Sequence, residues 1–160
     1  MRNFLGSLIV ASAFAVTAAP SVVGAQPSVA VMIASSSDSS PGTLDAHARG
    51  QHGQIVRQAL HDVLRRTGAE VRLMASGVRR LDVAVTGWKI ATLARQIDVA
   101  VEMRVIVVDQ HGRMLSILTG RAKITAAEAT PLAELRAQAI AEAIRGMTPA
   151  LQAQLRRDVG

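Results

Sequence analysis

Four histidines are the side chains of this 160-residue sequence that could most readily bind a metal ion or transfer a proton. His47, His52 and His61 fall in or near one predicted helix, and His111 falls in a predicted turn. A helix that binds a metal through two histidines usually spaces them four residues apart. His47 and His52 are five apart, which is about 500° around a helix, so they face different directions. The spacing argues against a metal site and predicts solvent-exposed histidines.

No recognisable nucleophile or phosphate-binding motif appears in the sequence. The serine-rich segment 35–42 lacks the form of a nucleophile elbow and is predicted to be a surface loop. Gly50 and Gly53 lack the Lys-Ser/Thr pair of a phosphate loop. Glu102 and Arg104 are two residues apart, which predicts a solvated charge ladder along a strand. We therefore expect no catalytic residue, metal ligand or cofactor, and a hydrolase with a site assembled from distant loops is the third hypothesis.

The composition excludes several classes of protein. Hydrophobic residues make up 49% of the chain, which predicts a folded domain rather than a disordered one. Cysteine is absent, which excludes disulfides, thiolate zinc sites and a lipid attached to an N-terminal cysteine. Aromatic residues make up only 2%, so we expect no nucleic-acid surface built on base stacking.

Basic residues exceed acidic ones by 18 to 12, a net charge of +6. A candidate basic patch along the predicted strands consists of Arg104, Arg113, Arg121 and Lys123. Such a patch could attract anionic lipid headgroups or acidic polymers, and this electrostatic binding is the second hypothesis. The simpler alternative is that the arginines only keep a small domain soluble.

Trp88 is the only tryptophan and stands beside Lys89. Together with Arg79 and Arg80, these residues are candidate partner contacts, because tryptophan and arginine often dominate binding energy at interfaces. The sequence is equally compatible with a Trp88 that covers the edge of the core.

The N-terminal residues predict an export signal. Arg2 precedes an apolar run at residues 4–16, and Val23-Gly24-Ala25 has the small-x-small form of a cleavage site. We predict a signal peptide at residues 1–25, with cleavage near residues 18–19 as the weaker alternative and an uncleaved anchor as another. The remaining residues, 26–160, are long enough for a single domain with its own core. We expect this domain to be periplasmic or secreted, without a transmembrane helix.

Hydrophobic periodicity predicts the element order β-α-β-β-β-β-α. The predicted elements are a strand at 28–34, a helix at 46–66 closed by Thr67-Gly68, strands near Val71 and at 81–85, a long alternating run from Leu93 to Val107, a strand from Met114 toward Ile124, and a last helix. Within the long run, Leu93 and the other odd-numbered apolar residues are predicted to lie on the core face. Because the run is longer than an average strand, we expect a bulge or bend within it. Whether Val71 and Leu81 share one strand is left open. Thr86-Gly87 predicts a turn, and Asp109 to Gly112 predicts a hairpin.

The last helix has two predicted starts and one predicted interruption. It begins at Thr125 or at Thr130-Pro131, both of which have capping signals. Gly146 and Pro149 are expected to break or kink it. The fold class that follows is α+β, a two-layer sandwich with a mainly antiparallel sheet of four or five strands. Two helices should cover one face of the sheet and leave the other for solvent or a partner.

The element order resembles that of small bacterial envelope modules. The resemblance lies in the strand at 28–33 (SVAVMI), the helix from Ile55 to Gly68 and the hairpin at 107–115 (VVDQHGRML). These segments resemble the penicillin-binding-protein activator lipoproteins, the periplasmic domain of the curli-secretion lipoprotein and the N-terminal domain of the Tol-Pal translocation protein. The resemblance implies a non-enzymatic module that docks onto another envelope protein, which is the leading hypothesis. The sequence departs from the lipoproteins in having no lipid-anchor cysteine.

Overall fold

The computed structural model describes residues 30–42, 44–71 and 78–157, and the predicted signal peptide lies outside them. The described elements are β1 (Ala30–Asp38), α1 (Ala46–Arg66), β2 (Glu70–Val71), β3 (Arg79–Leu93), β4 (Gln96–Val108), β5 (Met114–Ala127) and α2 (Leu132–Arg156). This order confirms the predicted β-α-β-β-β-β-α.

The five strands form one mixed sheet in the order β2-β1-β3-β4-β5. β1 is parallel to both β2 and β3, and the longer pairings of β3 with β4 and of β4 with β5 are antiparallel. Val71 and Leu81 therefore lie on two strands, on opposite sides of β1. The predicted α+β class is confirmed.

Both helices contribute to one core with the strands. The α1 stripe at Val56, Leu60 and Leu64 is buried, and so are alternate residues of β3 and β4. The α2 stripe is also buried and consists of Leu135, Ala139, Ile140, Ala143, Ile144, Met147, Leu151 and Leu155. Because β4 alternates with a period of two, its other side chains point away from this core, and neither of the two helices that the structure describes lies on that side. We call this side of the sheet, away from the core, the outer face.

β3 contains a bulge where the sequence predicted a turn. Val85 lies opposite Met103, whereas Gly87 lies opposite Glu102, so Thr86 is an extra residue in a continuous strand. The Thr86 hydroxyl donates to the Glu102 carbonyl at 3.2 Å. The turn prediction was wrong because a bulge uses similar residues without ending the strand. One extra residue exchanges the two faces of a strand, so Trp88 faces the core instead of the outer face.

A two-residue turn divides the long run that the sequence predicted from Leu93 onward. β3 ends at Leu93, Ala94 and Arg95 have φ angles of 49° and 67°, and β4 begins at Gln96. Leu93 is 78% exposed, so its assignment to the core face was wrong. It lies at the tip of the β3–β4 hairpin, and all residues of that tip are exposed.

The predicted limits of α1 are confirmed. The Asp45 carboxylate caps the helix by accepting from the Ala48 backbone N–H at 2.7 Å. At the other end, Gly68 follows Thr67 with φ of +76°, the left-handed conformation that commonly terminates a helix.

α2 begins after Pro131, which confirms the second of its two predicted starts. The first predicted start, Thr125, lies in β5. The predicted break at Gly146 and Pro149 is absent, because the helix continues to Arg156. Packing of the buried residues that follow Pro149 holds the helix together although proline removes one intrahelical hydrogen bond.

Candidate functional site

β1 extends further than the sequence predicted, and it carries a buried carboxylate. Residues Ser35 to Asp38 belong to the strand and pair with β3, so the predicted surface loop was wrong for this half of the segment. Asp38 lies opposite Val85, and its side chain is fully buried. Strand pairing satisfies the backbone here, which is why four polar residues can occupy a strand.

α1 lies close to β1 at Gly53. A Cβ built on Gly53 would be 2.9 Å from the Ser36 carbonyl oxygen. The neighbouring residue, His52, is consequently buried against β1, so the prediction of an exposed histidine was wrong here. His52 precedes Val56 by four residues, a helical spacing that places it on the same buried stripe.

Asp38 accepts hydrogen bonds from several groups. His52 Nδ1 lies 2.6 Å from one carboxylate oxygen, and Trp88 Nε1 donates to the same oxygen at 3.1 Å. The Ser40 hydroxyl and backbone N–H donate to the other oxygen at 2.5 and 2.9 Å. Arg49 lies 3.8 Å from that oxygen. We call these five residues the Asp38 cluster.

Asp38 is held in its ionised form. Burial by itself raises the pKa of the carboxyl, but the hydrogen bonds from Ser40, His52 and Trp88 outweigh burial and lower the pKa below its usual value. An ionised carboxylate can only accept hydrogen bonds, so His52 Nδ1 carries the hydrogen. The tautomer and the ring orientation of His52 are therefore fixed by Asp38.

Trp88 covers the edge of the core, one of the two roles that the sequence left open. Its half-buried ring lies 5.3 Å from the His52 ring, centroid to centroid. The Arg136 guanidinium carbon lies 5.7 Å from the Trp88 ring centroid, within the range of a cation–π interaction. Trp88 thus connects the Asp38 cluster to α2.

The Asp38 cluster has the form of a structural clamp rather than that of a serine-hydrolase triad. In a triad, the serine is bonded to the histidine nitrogen that faces away from the aspartate. Here the Ser40 hydroxyl donates to Asp38 itself. The Arg49 guanidinium donates to the carbonyls of Asp38, Ser40 and Gly42, which fixes the segment that follows β1. Among the described residues, no three acidic or histidine side chains are grouped to hold a metal ion.

The four candidate partner contacts lie in two separate places. Trp88 and Lys89 are nine residues from Arg79 and Arg80 along β3, a distance of roughly 30 Å at the rise of an extended strand. Arg79 donates to the carbonyls of Gln154 and Leu155, near the C-terminal end of α2. Lys89 and Arg80 are exposed. The structure therefore does not bring the four residues into one surface.

Most of the candidate basic patch is paired with carboxylates. On the outer face, Arg121 lies 2.9 Å from Glu102 and Lys123 lies 2.7 Å from Asp98. The hydrogen bond from Lys123, followed by the one from Thr125, lowers the pKa of Asp98. Arg104 lies on the same face, opposite Thr119 of β5, and is exposed.

Arg113 lies apart from the other members of the patch, in the β4–β5 hairpin. Its backbone N–H donates to the Asp109 carboxylate at 2.9 Å and its Nε donates at 2.7 Å. The backbone hydrogen bond from Arg113 is the largest contribution that lowers the pKa of Asp109. Gly112 has φ of +81°, which confirms the predicted turn.

Sequence reasoning missed the Asp38 cluster. Its members are separated by up to 50 residues, and only the pairing of β1 with β3 and the approach of α1 bring them together. One signal was available for His52, because it is the first of four residues at intervals of four, followed by Val56, Leu60 and Leu64. Nothing in the sequence identified Trp88 as a partner of Asp38, because that contact depends on the bulge at Thr86.

Comparison with known proteins supports the fold. No protein-family model and no curated protein matches the sequence. A solved minor lipoprotein from Acinetobacter baumannii matches with a TM-score of 0.53 and 10% identity over 78% of this chain and 92% of that one. A hypothetical protein from Chlamydia trachomatis matches with a TM-score of 0.59 and 7% identity over 82% and 99%.

A Xanthomonas campestris protein of the DUF330 family matches with a TM-score of 0.53 and 14% identity over 78% of this chain and 82% of that one. At these identities the likeness is one of fold. The kinship with the three envelope groups named from the sequence stays a prediction. Among the described residues, neither helix combines the length and the apolarity needed to cross a membrane. The chain is similar in fold to small bacterial proteins that include a lipoprotein.

Proposed function

We propose that this chain is an exported, non-enzymatic accessory module of the bacterial envelope that binds another envelope protein or assembly. The observation that carries the proposal is the outer face of β3, β4 and β5, which presents charged and apolar side chains and is not covered by either of the described helices. Ile117 is 48% exposed there, on the same face as the ion pairs of Arg121 and Lys123. An uncovered sheet face with this mixture of side chains is suited to binding a protein.

The likeness in fold to a bacterial lipoprotein supports an envelope location, and the N-terminal sequence supports export. Expression of the full chain in a Gram-negative host tests export directly. We expect the periplasmic fraction to contain a form that begins at Gln26, which N-terminal sequencing would identify. A form found only in the cytoplasm with residues 1–25 intact would contradict the proposal.

A role without catalysis is supported by the geometry of the Asp38 cluster. Ser40, the serine of the cluster, donates its hydroxyl hydrogen to Asp38, and the His52 side chain is only 6% exposed. A proton-transferring histidine must reach the substrate directly or through one water. The third hypothesis, a hydrolase, therefore finds no support in this cluster.

The ion pairs on the outer face also weigh against the second hypothesis, binding of an anionic surface. Glu102 and Asp98 reduce the positive field of Arg121 and Lys123. Binding to vesicles that contain anionic lipid tests this alternative, because electrostatic attraction of that kind weakens as salt is added. We expect little binding even at low ionic strength.

Site-specific photocrosslinking tests the binding role. A photoreactive amino acid at Arg104, on the outer face, should crosslink in intact cells to one recurring envelope protein. The same amino acid at Gln58, an exposed position of α1, serves as the matched control. The absence of any product specific to Arg104 would contradict the proposed function.

A further inference from the structure

β5 is an edge strand with one long unpaired side. It spans Met114 to Ala127 and, among the residues that the structure describes, it pairs only with β4. An edge of this length presents a row of backbone N–H and C=O groups that can pair with another extended chain. This is the mode of recognition known as strand addition.

The register identifies which residues of β5 direct their backbone groups outward. The Glu128 N–H donates to the Arg95 carbonyl at 3.0 Å, and the pairing then continues without a shift from Gln96–Ala127 to Val107–Ser116. In an antiparallel pair, alternate residues bond to the neighbouring strand. The residues that direct their N–H and C=O groups to the free edge are therefore the odd-numbered ones from Ile117 to Ala127. The four in the middle of this series are Thr119, Arg121, Lys123 and Thr125.

The side chains of these four residues all lie on the outer face and are exposed. Arg121 is 75% exposed and Lys123 is 61% exposed, although each has a carboxylate partner on β4. A strand added at the edge would place its own side chains next to these cations, on the side opposite Glu102 and Asp98. Opposite charges in such cross-strand positions are favourable, and like charges are unfavourable.

The inner side of the edge is apolar. Ala122, Ile124 and Ala126 alternate with the cations and are half-buried against the core. We infer that the free edge of β5 takes an extended segment of the partner, whose side chains alternate between acidic, on the outer face, and apolar, on the inner face. This inference rests on the proposed function and assigns the chemistry of the partner.

A second copy of this chain fits the edge less well. Two copies could pair their β5 strands in antiparallel orientation, centred on residues 120–122 near the middle of the strand. Arg121 of one copy would then lie opposite or diagonal to a cation of the other copy. Basic residues on an edge strand are a common means of preventing such self-association. The charge pattern therefore favours an acidic segment of another protein.

A labelled synthetic peptide of alternating glutamate and valine tests the assignment, with a lysine–valine peptide as the matched probe. Fluorescence anisotropy should show binding of the glutamate peptide to the full domain, and roughly tenfold weaker binding of the lysine peptide. Arg121→Glu should reverse that preference. Equal binding of the two peptides, or binding of neither, would overturn the acidic-segment assignment.

Thr119→Pro tests the edge itself. Proline removes an N–H that faces the free edge and leaves the bonds to β4 in place, a position that tolerates proline in natural sheets. Affinity for the glutamate peptide should fall roughly tenfold, whereas Thr119→Val, which keeps the N–H, should bind as the unmodified chain does. If Thr119→Pro fails to fold, the Arg121→Glu result still decides the proposal. A stable dimer that Thr119→Pro dissociates would assign the edge to a second copy and overturn the proposal.

The same variants separate this inference from the proposed function. An envelope protein that still crosslinks at Arg104 in cells, unaffected by Thr119→Pro and Arg121→Glu, would refute the edge and leave the binding role intact. Peptide binding at the edge without any crosslinked envelope protein would refute the proposed function and leave the edge intact.

Discussion

The Cα of Gly53 in α1 lies so close to β1 that an added Cβ would be 2.9 Å from the carbonyl oxygen of Ser36. This approach places the adjacent His52 within hydrogen-bond distance of Asp38, at 2.6 Å. A single glycine thus sets the separation of a helix and a strand, and the buried Asp–His pair depends on that separation.

Replacing Gly53 should therefore be costly. Gly53→Ala forces α1 away from the Ser36 carbonyl and should lower the free energy of unfolding by about 1–3 kcal/mol, the usual cost of overpacking. Gly50→Ala is the matched control, since the space around Gly50 in the same helix is open. It should raise stability by about 0.5–1 kcal/mol, because alanine favours a helix. Urea unfolding followed by the fluorescence of Trp88 measures both, and equal effects would refute the close approach.

Removing the carboxylate of Asp38 should be among the most damaging single changes. Asp38→Ala leaves buried donors of His52, Trp88 and Ser40 without their acceptor and should cost about 3–5 kcal/mol. Asp62→Ala, at a half-exposed carboxylate of α1 that accepts a hydrogen bond from Gln58 and lies 3.8 Å from His61, should change stability by less than about 0.5 kcal/mol. Thermal or urea unfolding distinguishes the two, and a mild effect of Asp38→Ala would show that the cluster adds little stability.

Stability should fall in acid. The pKa of Asp38 in the folded chain is lower than its usual value of 3.8, so its stabilising contribution is complete above that value and is lost as pH falls toward the folded pKa. The pKa values of Asp98 and Asp109 are lowered as well, and they act in the same direction. Asp38→Asn should be less stable than the unmodified chain near neutral pH, and its free energy of unfolding should decrease less as the pH falls. Urea midpoints measured from about pH 5 to pH 2 test this, and parallel curves for the two proteins would contradict it.

Glycine should be the more stable residue at the left-handed positions of both hairpin turns. Ala94 and Arg95 have left-handed φ angles in a two-residue turn, a conformation that costs about 1–2 kcal/mol per residue without glycine. Arg95→Gly should therefore raise stability by about 1 kcal/mol. Gly112→Ala, in the other hairpin, should lower it by about 1 kcal/mol, since no atom lies within 4 Å of the added Cβ and only the backbone is affected. Calorimetric unfolding of both variants would show the opposite shifts, and shifts of the same sign would contradict this account.

Local patterns in the sequence predicted much of the fold. The period of 3.6 in α1, its closing Gly68 and the Asp109–Gly112 turn all depend on residues close together in the chain. Two of the strand errors arose where local signals are ambiguous. Thr86-Gly87 suits a turn and a bulge equally, and Ala94-Arg95 carries none of the residues that usually mark a two-residue hairpin.

The sequence by itself determined the order of elements and the α+β class, since both depend on periodicity or on contiguous residues. The export signal stays a prediction. Only the tertiary structure decided that β2 and β3 lie on opposite sides of β1, that Trp88 faces the core and that Asp38 is buried. These outcomes depend on strand pairing, on a one-residue change of register and on the close approach of two backbones. The contacts responsible join residues far apart in the chain, and no local pattern encodes them.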